Sequence, residues 1–320
     1  MRKSPVIYVI TAVTASCSSN GSPTHATITE PTIWLTRSST IDPTALPLYD
    51  QAFNTTAPQK GSVYVCAPKE FQQTRNIGPR ANGPWIGMGT WDFTKKPFVQ
   101  GNVWWDAAKL TITLTDSERH FEGNGLPVNA PTGVFPVSTS DPVYSYDRNP
   151  NPIKEHGVAF SIPKNPTMAA SACCAYKQIG ITVDGAELHL AFNSYGQDEL
   201  ASVAQDVCSG GSEANGSYHR HALSECLPGI HDRVALVGYA LDGFGMFSPY
   251  DKDGKELTSA DLDECHGTTS EIPWDGQTVT MYHYVMTRDF PYTLGCFRGK
   301  PTRNAFPPLG TAAPPEQPCL

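Results

Sequence analysis

Read for alternation alone, the chain breaks into short strand-length pieces separated by turns. GSVYVCA at 61–67 and KLTITLTD at 109–116 alternate apolar or β-branched residues with polar ones between bounding Gly or Asp, the pattern of half-buried strands. Ile179–Val183, Tyr218–Ala222, Val234–Leu241 and Val279–Met286 read as strands too, and the 179–183 and 234–241 stretches run into Asp-Gly turns. Asp198–Gln205 and Ser259–Asp263 suit short helical turns. The 28 prolines and 27 glycines, with only 17% charged residues, favour many short elements over long helices. The fold class expected is mainly β, or α+β with a few short helices.

The strand pattern repeats. Gly180-Ile181-Thr182-Val183-Asp184-Gly185 aligns with Gly238-Tyr239-Ala240-Leu241-Asp242-Gly243. Gly196 then matches Gly254, Leu200 matches Leu257, Asp206 and Cys208 match Asp263 and Cys265, Tyr218-His219 matches Tyr282-His283, and Cys226 matches Cys296. Chance rarely preserves such an order. The expectation is a duplicated Gly/Pro-rich unit, with copies at about 179–226 and 237–297, packed about a pseudo-twofold rather than a solenoid, which needs at least three repeats. If the copies fold alike, Cys208–Cys226 and Cys265–Cys296 are corresponding disulfides, each adding roughly 3 kcal/mol in the chain-entropy picture.

Domain organisation follows from composition. Residues 1–17 carry Arg2 and Lys3, an apolar run from Val6 to Val13, and small residues before Cys17, the shape of a secretory signal. Val13–Cys17 also resembles a lipobox, which makes Cys17 a candidate lipidation site. Residues 18–60 are Ser/Thr/Pro-rich and read as a tether, 61–165 as an N-terminal β region, 166–300 as the duplicated core and 301–320 as a Pro-rich tail. Setting Cys17 aside leaves eight of the nine cysteines, an even number that suits disulfides in an exported chain. Adjacent Cys173 and Cys174 are expected to have different partners. The expected location is extracytoplasmic, with membrane contact only through a lipid anchor. A formal net charge of -8 without a basic run argues against nucleic acid as a partner.

Candidate chemistry is sparse. In GSYHRHALSEC at 216–226, strand alternation puts His219 and His221 on one side, with Tyr218 and an exposed Arg220 on the other. An i, i+2 histidine pair suits Zn, Cu or Fe. If the two repeat strands meet, His283 completes a three-histidine set, although Val285 stands where a second His221 would be. A hydrogen-bonded polar strand in a braced core is the plainer alternative. Asp206 and Asp263 could orient an imidazole from behind, cap a helix or accept backbone N–H bonds. YDKDGKEL at 250–257 is not an EF-hand, because Pro249 and Ala260 fall where its first and last carboxylates are needed. Trp85, Trp91, Trp104 and Trp105 read as core and rim packing before they read as a sugar-stacking surface.

GYALDGFGMFSPYD, LDECHG and MYHYVMTRDFPYTLGCFRG, with YHRH upstream, resemble the YHYH-domain family, named for a Tyr-His-Tyr-His motif. NGLPVNAPTGVFPV and YSYDRNPNP resemble its N-terminal half. The resemblance covers roughly residues 80–300 and implies an exported protein whose biochemical activity is not established. The family pattern has Tyr where Arg220 stands, commonly His where Val285 stands, and a histidine where Val128-Asn129-Ala130 stands. Three functional classes stay open: a cell-envelope protein holding a transition metal through strand histidines, a hydrolase-like enzyme with histidine acid/base chemistry, and a structural or carbohydrate-binding module.

Overall fold

The computed structural model describes residues 40–66, 83–227, 229–231 and 233–302. The signal and lipidation readings, with Cys17, lie outside the described residues, as does nearly all of the Pro-rich tail.

The first strands are two-residue pieces. β1 (Leu46–Pro47) pairs antiparallel with β4 (Thr90–Trp91), and β2 (Phe53–Asn54) pairs parallel with β3 (Val63–Tyr64). The described part of the expected tether, residues 40–60, is therefore not a linker. Leu46 is buried, and the Tyr49 ring stacks on Phe290 at 4.3 Å. Its Ser/Thr/Pro-rich composition hid three apolar anchors, Leu46, Tyr49 and Phe53, spaced through polar residues.

β5 (Leu110–Leu114), β6 (Glu118–Gly123) and β7 (Val158–Pro163) form an antiparallel sheet in the order β5-β6-β7. It packs on the main sheet through Phe121, stacked on Phe160 at 4.9 Å and edge-on to Tyr239 at 5.4 Å. Arg119 lies over the Tyr239 and Trp274 rings and donates twice to Asp275, at 2.8 and 2.9 Å, so a buried cation here has both π and carboxylate partners.

The main sheet has eight strands: β8 (Gln178–Thr182), β9 (Glu187–His189), β10 (Gly210–Ser212), β11 (Tyr218–Arg220), β12 (Leu236–Ala240), β13 (Gly245–Phe247), β14 (Gly267–Trp274) and β15 (Gln277–Val285). Their order is β10-β11-β9-β8-β12-β13-β15-β14. From either edge inward the pairings run antiparallel, parallel, antiparallel, and the halves meet at the antiparallel β8–β12 pair. The two halves thus share pairing and register. Their junction explains Gly180 and Gly238: a Cβ on either would sit 2.3 or 2.5 Å from a carbonyl oxygen of the facing strand. The only described α-helix, α1 (Glu199–Ser202), is one turn. The structure is mainly β.

Among the described residues, disulfides join Cys66–Cys174, Cys208–Cys226 and Cys265–Cys296 and brace the fold. The last two occupy corresponding places in the halves. Trp85 and Trp91 are buried, with Trp85 Nε1 donating to Ala201 O at 2.9 Å, so these two rings are core mass rather than a sugar platform.

Candidate metal centre

The parallel β9–β11 pairing builds the site. Its register sets His219 beside Glu187 and Arg220 beside Leu188. Side chains alternate along each strand, so Glu187, His189, His219 and His221 fall on one face. There the three imidazoles converge: each offers a nitrogen, and these lie within 4.8 Å of one another. The His189 and His219 rings stack at 4.5 Å, and His221 stands edge-on to both, at 5.5 and 5.0 Å. All three are buried, at the wall of a cavity of about 270 Å³ that Glu199 and Glu213 also line. A larger open depression of about 430 Å³ beside Asp263 and Tyr282 brings no such cluster together among the described residues.

The hydrogen bonds fix which nitrogens are available. His221 Nδ1 lies 2.5 Å from Leu190 O, an acceptor only, so Nδ1 carries the proton and Nε2 keeps its lone pair. That lone pair faces Glu199 Oε1 at 3.7 Å. His189 Nε2 bonds Glu187 Oε2 at 3.1 Å, which leaves Nδ1 open, 3.8 Å from Glu213 Oε1. The other oxygen of Glu187 is 2.8 Å from His156 Nε2. His219 Nδ1 is buried without a hydrogen-bond partner among the described residues.

The electrostatics keep the rings of His219 and His221 neutral. Burial, reinforced by neighbouring His189, holds His219 down to about 4, and burial with His219 and His189 holds His221 well below the usual imidazole range. Burial would raise Glu187, but hydrogen bonds from His156 and His189 outweigh it and hold the carboxyl down to about 2. The same pairing raises His156. Burial pushes Glu199 up to about 8, against the pull of Lys96. The cluster therefore presents two neutral rings, His219 and His221, beside His189, whose Nε2 is held by an ionised carboxylate, the arrangement that orients metal-binding imidazoles. A tetrahedral ion with bonds of 2.0–2.1 Å sets its ligands about 3.4 Å apart, so a modest inward closure of the rings suffices.

Of the residues singled out from sequence, the fold brings together His219 and His221 but not His283. Four strands, β9, β8, β12 and β13, separate β11 from β15. In the other half Met246 pairs with Tyr284 and Phe247 with Val285, just as Leu188 pairs with Arg220. Gly245, Phe247, His283 and Val285 thus hold the positions of Glu187, His189, His219 and His221. Three of these four are apolar or lack a side chain, and the Phe247 ring packs edge-on to His283 at 5.2 Å.

Asp206 and Asp263 do not orient histidines. Asp206 accepts from the backbone N–H groups of Gly133, Cys208 and Gly210 and from Tyr218 Oη, and Asp263 from those of Cys265 and Gly267 and from Tyr282 Oη. Each clamps a turn to the strand that follows. Arg220 is opposite the histidines as expected, but fully buried rather than exposed. It lies 2.8 Å from Asp184 Oδ1 and also donates to Thr182 Oγ1 and Cys208 O. In the other half Tyr284 Oη donates to Asp242 at 2.6 Å, so a guanidinium here does the work of a phenol there.

Sequence reasoning missed His189, Glu187, Glu199 and His156. Glu187-Leu188-His189 was legible as an i, i+2 polar pair directly after the Asp184-Gly185 turn. Aligning the repeats concealed it, because the second copy carries Gly245 and Phe247 there.

No match was found among curated proteins or among solved structures. A family model described as YHYH protein matches residues 159–258, from β7 through β13 and across all three clustered histidines. Over that stretch the chain is similar to the YHYH family.

Proposed function

We propose that this protein is an extracytoplasmic metal-binding protein, with His189, His219 and His221 holding one transition-metal ion such as Zn, Cu or Fe. The observation that carries the reading is the convergence of three buried imidazole nitrogens within 4.8 Å at a cavity wall. Burying three imidazoles together, one with an unpartnered Nδ1, costs stability in the absence of a ligand, since an unmet buried polar atom costs about 1–3 kcal/mol. A cation would satisfy them at once. Three protein ligands and a cavity leave a coordination position for an exogenous group, as in catalytic rather than structural zinc sites. The disulfides support an oxidising compartment. Among the described residues no helix is long and apolar enough to cross a membrane.

The test is thermal unfolding with and without chelator. Metal-loaded wild type is expected to lose several degrees of Tm on chelation, and His189→Ala to be insensitive. A chelator effect that survives in His189→Ala, or none in wild type reloaded with Zn2+, contradicts the proposal.

A further inference from the structure

The three histidines occupy one wall of the cavity and leave a carboxylate facing them. Glu199 opens α1, and its side chain is 7% exposed. Its Oε1 lies 3.7 Å from His221 Nε2, and its Oε2 is buried without a hydrogen-bond partner among the described residues. Yet Glu199 is not one of the groups whose ligand atoms lie mutually within 4.8 Å. It stands outside the set of three nitrogens but 3.7 Å from one of them, and lines the same cavity. The cavity adds a substrate class. Leu190, Phe192 and Val203 give apolar walls. Lys177 is its only Lys or Arg among the described lining residues, set against Glu213, so the cavity offers little cationic charge for a phosphoryl polyanion and suits an uncharged acyl group.

Resting on the metal reading above, we propose that Glu199 is the general base of a hydrolytic site acting on small carboxylic esters. Glu199, ionised by a cation held at the three nitrogens, takes a proton from the water at the open position. The freed oxygen pair forms the bond to the acyl carbon while the carbonyl π pair moves onto its oxygen. When that pair returns, the acyl–alkoxy bond breaks and the leaving alkoxide takes the proton from Glu199. One water is consumed, and one acid and one alcohol leave. The cation supplies charge stabilisation for the oxygen of the tetrahedral species.

The experiment loads the full chain with Co2+, reads metal from the visible spectrum and reads hydrolysis with p-nitrophenyl acetate. Wild type is expected to bind one cobalt and to cleave the ester. Glu199→Gln is expected to hold cobalt within about threefold of wild-type affinity with an unchanged spectrum, while kcat/KM falls about 100-fold or more. Glu199→Asp, which keeps the carboxylate but draws it back by one methylene, is the second variant should Glu199→Gln fail to fold, and is expected to lose about tenfold or more. Undiminished cleavage by whichever of these variants folds, or no cleavage by cobalt-loaded wild type, overturns the role of Glu199 and leaves metal binding standing. Wild type that binds no cobalt overturns the metal reading, and this inference with it.

Discussion

Arg220 and His219 are neighbours in sequence with opposite electrostatic duties. Arg220 is a fully buried cation neutralised by Asp184. Removing it strands that carboxylate, so Arg220→Ala is expected to cost about 3–5 kcal/mol in urea unfolding. Arg220→Tyr is expected to recover much of this, because Tyr284 reaches Asp242 from the corresponding position. Equal stability of Arg220→Ala and wild type contradicts the assignment. His219 is kept neutral, and its linkage has a definite sign. With a folded value of about 4 against 6.5 unfolded, its contribution is full above about pH 6.5 and is lost as the unfolded ring protonates between 6.5 and about 4. In EDTA, the stability of wild type relative to His219→Gln is expected to fall by on the order of 3 kcal/mol from pH 7 to pH 4. A difference that stays constant over that window contradicts a neutral buried ring. The His156–Glu187 pair runs the other way near neutrality. The stability gained by raising His156 is full below its unfolded value and is lost as pH rises through its folded one.

At the level of strands, the site is a product of register. A one-residue slip of β11 against β9 would turn His219 and His221 away and bring Arg220 to the cavity. The Cys208–Cys226 bond and the Asp206–Tyr218 hydrogen bond hold β10, β11 and the following loop against such a slip. Because β13 and β15 repeat the pairing of β9 and β11, the other half should accept the same chemistry. The double variant Phe247→His/Val285→His, joined by His283, is expected to raise zinc stoichiometry from one to two per chain by calorimetry. Stoichiometry that stays at one in a folded double variant would show that shared register is not enough. Much of this level was legible in sequence. Alternation located β5, β8, β11, β12 and β15, and the repeated cysteines located the disulfides Cys208–Cys226 and Cys265–Cys296. What alternation could not give was the order of strands across the sheet. With only the motif in view, His219 and His283 read as facing partners, whereas β8 and β12 form the junction and send β11 and β15 outward.

For the molecule as a whole, the legible part was what repeats or alternates, and the illegible part was what converges. Cys66 and Cys174 are 108 residues apart, and Glu199 comes within 3.7 Å of His221 from a separate element. His189 lay in the run 186–192, apolar apart from Glu187 and the histidine itself, which reads as ordinary core. The same long-range closure made residues 40–60 part of the body despite a linker-like composition. Metal binding at the β9–β11 face is decided by anomalous scattering from crystals of the full chain soaked in Zn2+ or Co2+ at the metal edge. The proposed centre requires one strong peak about 2.0–2.2 Å from one nitrogen of each of His189, His219 and His221. A map with no peak there, or with its peak at His283 instead, would refute it.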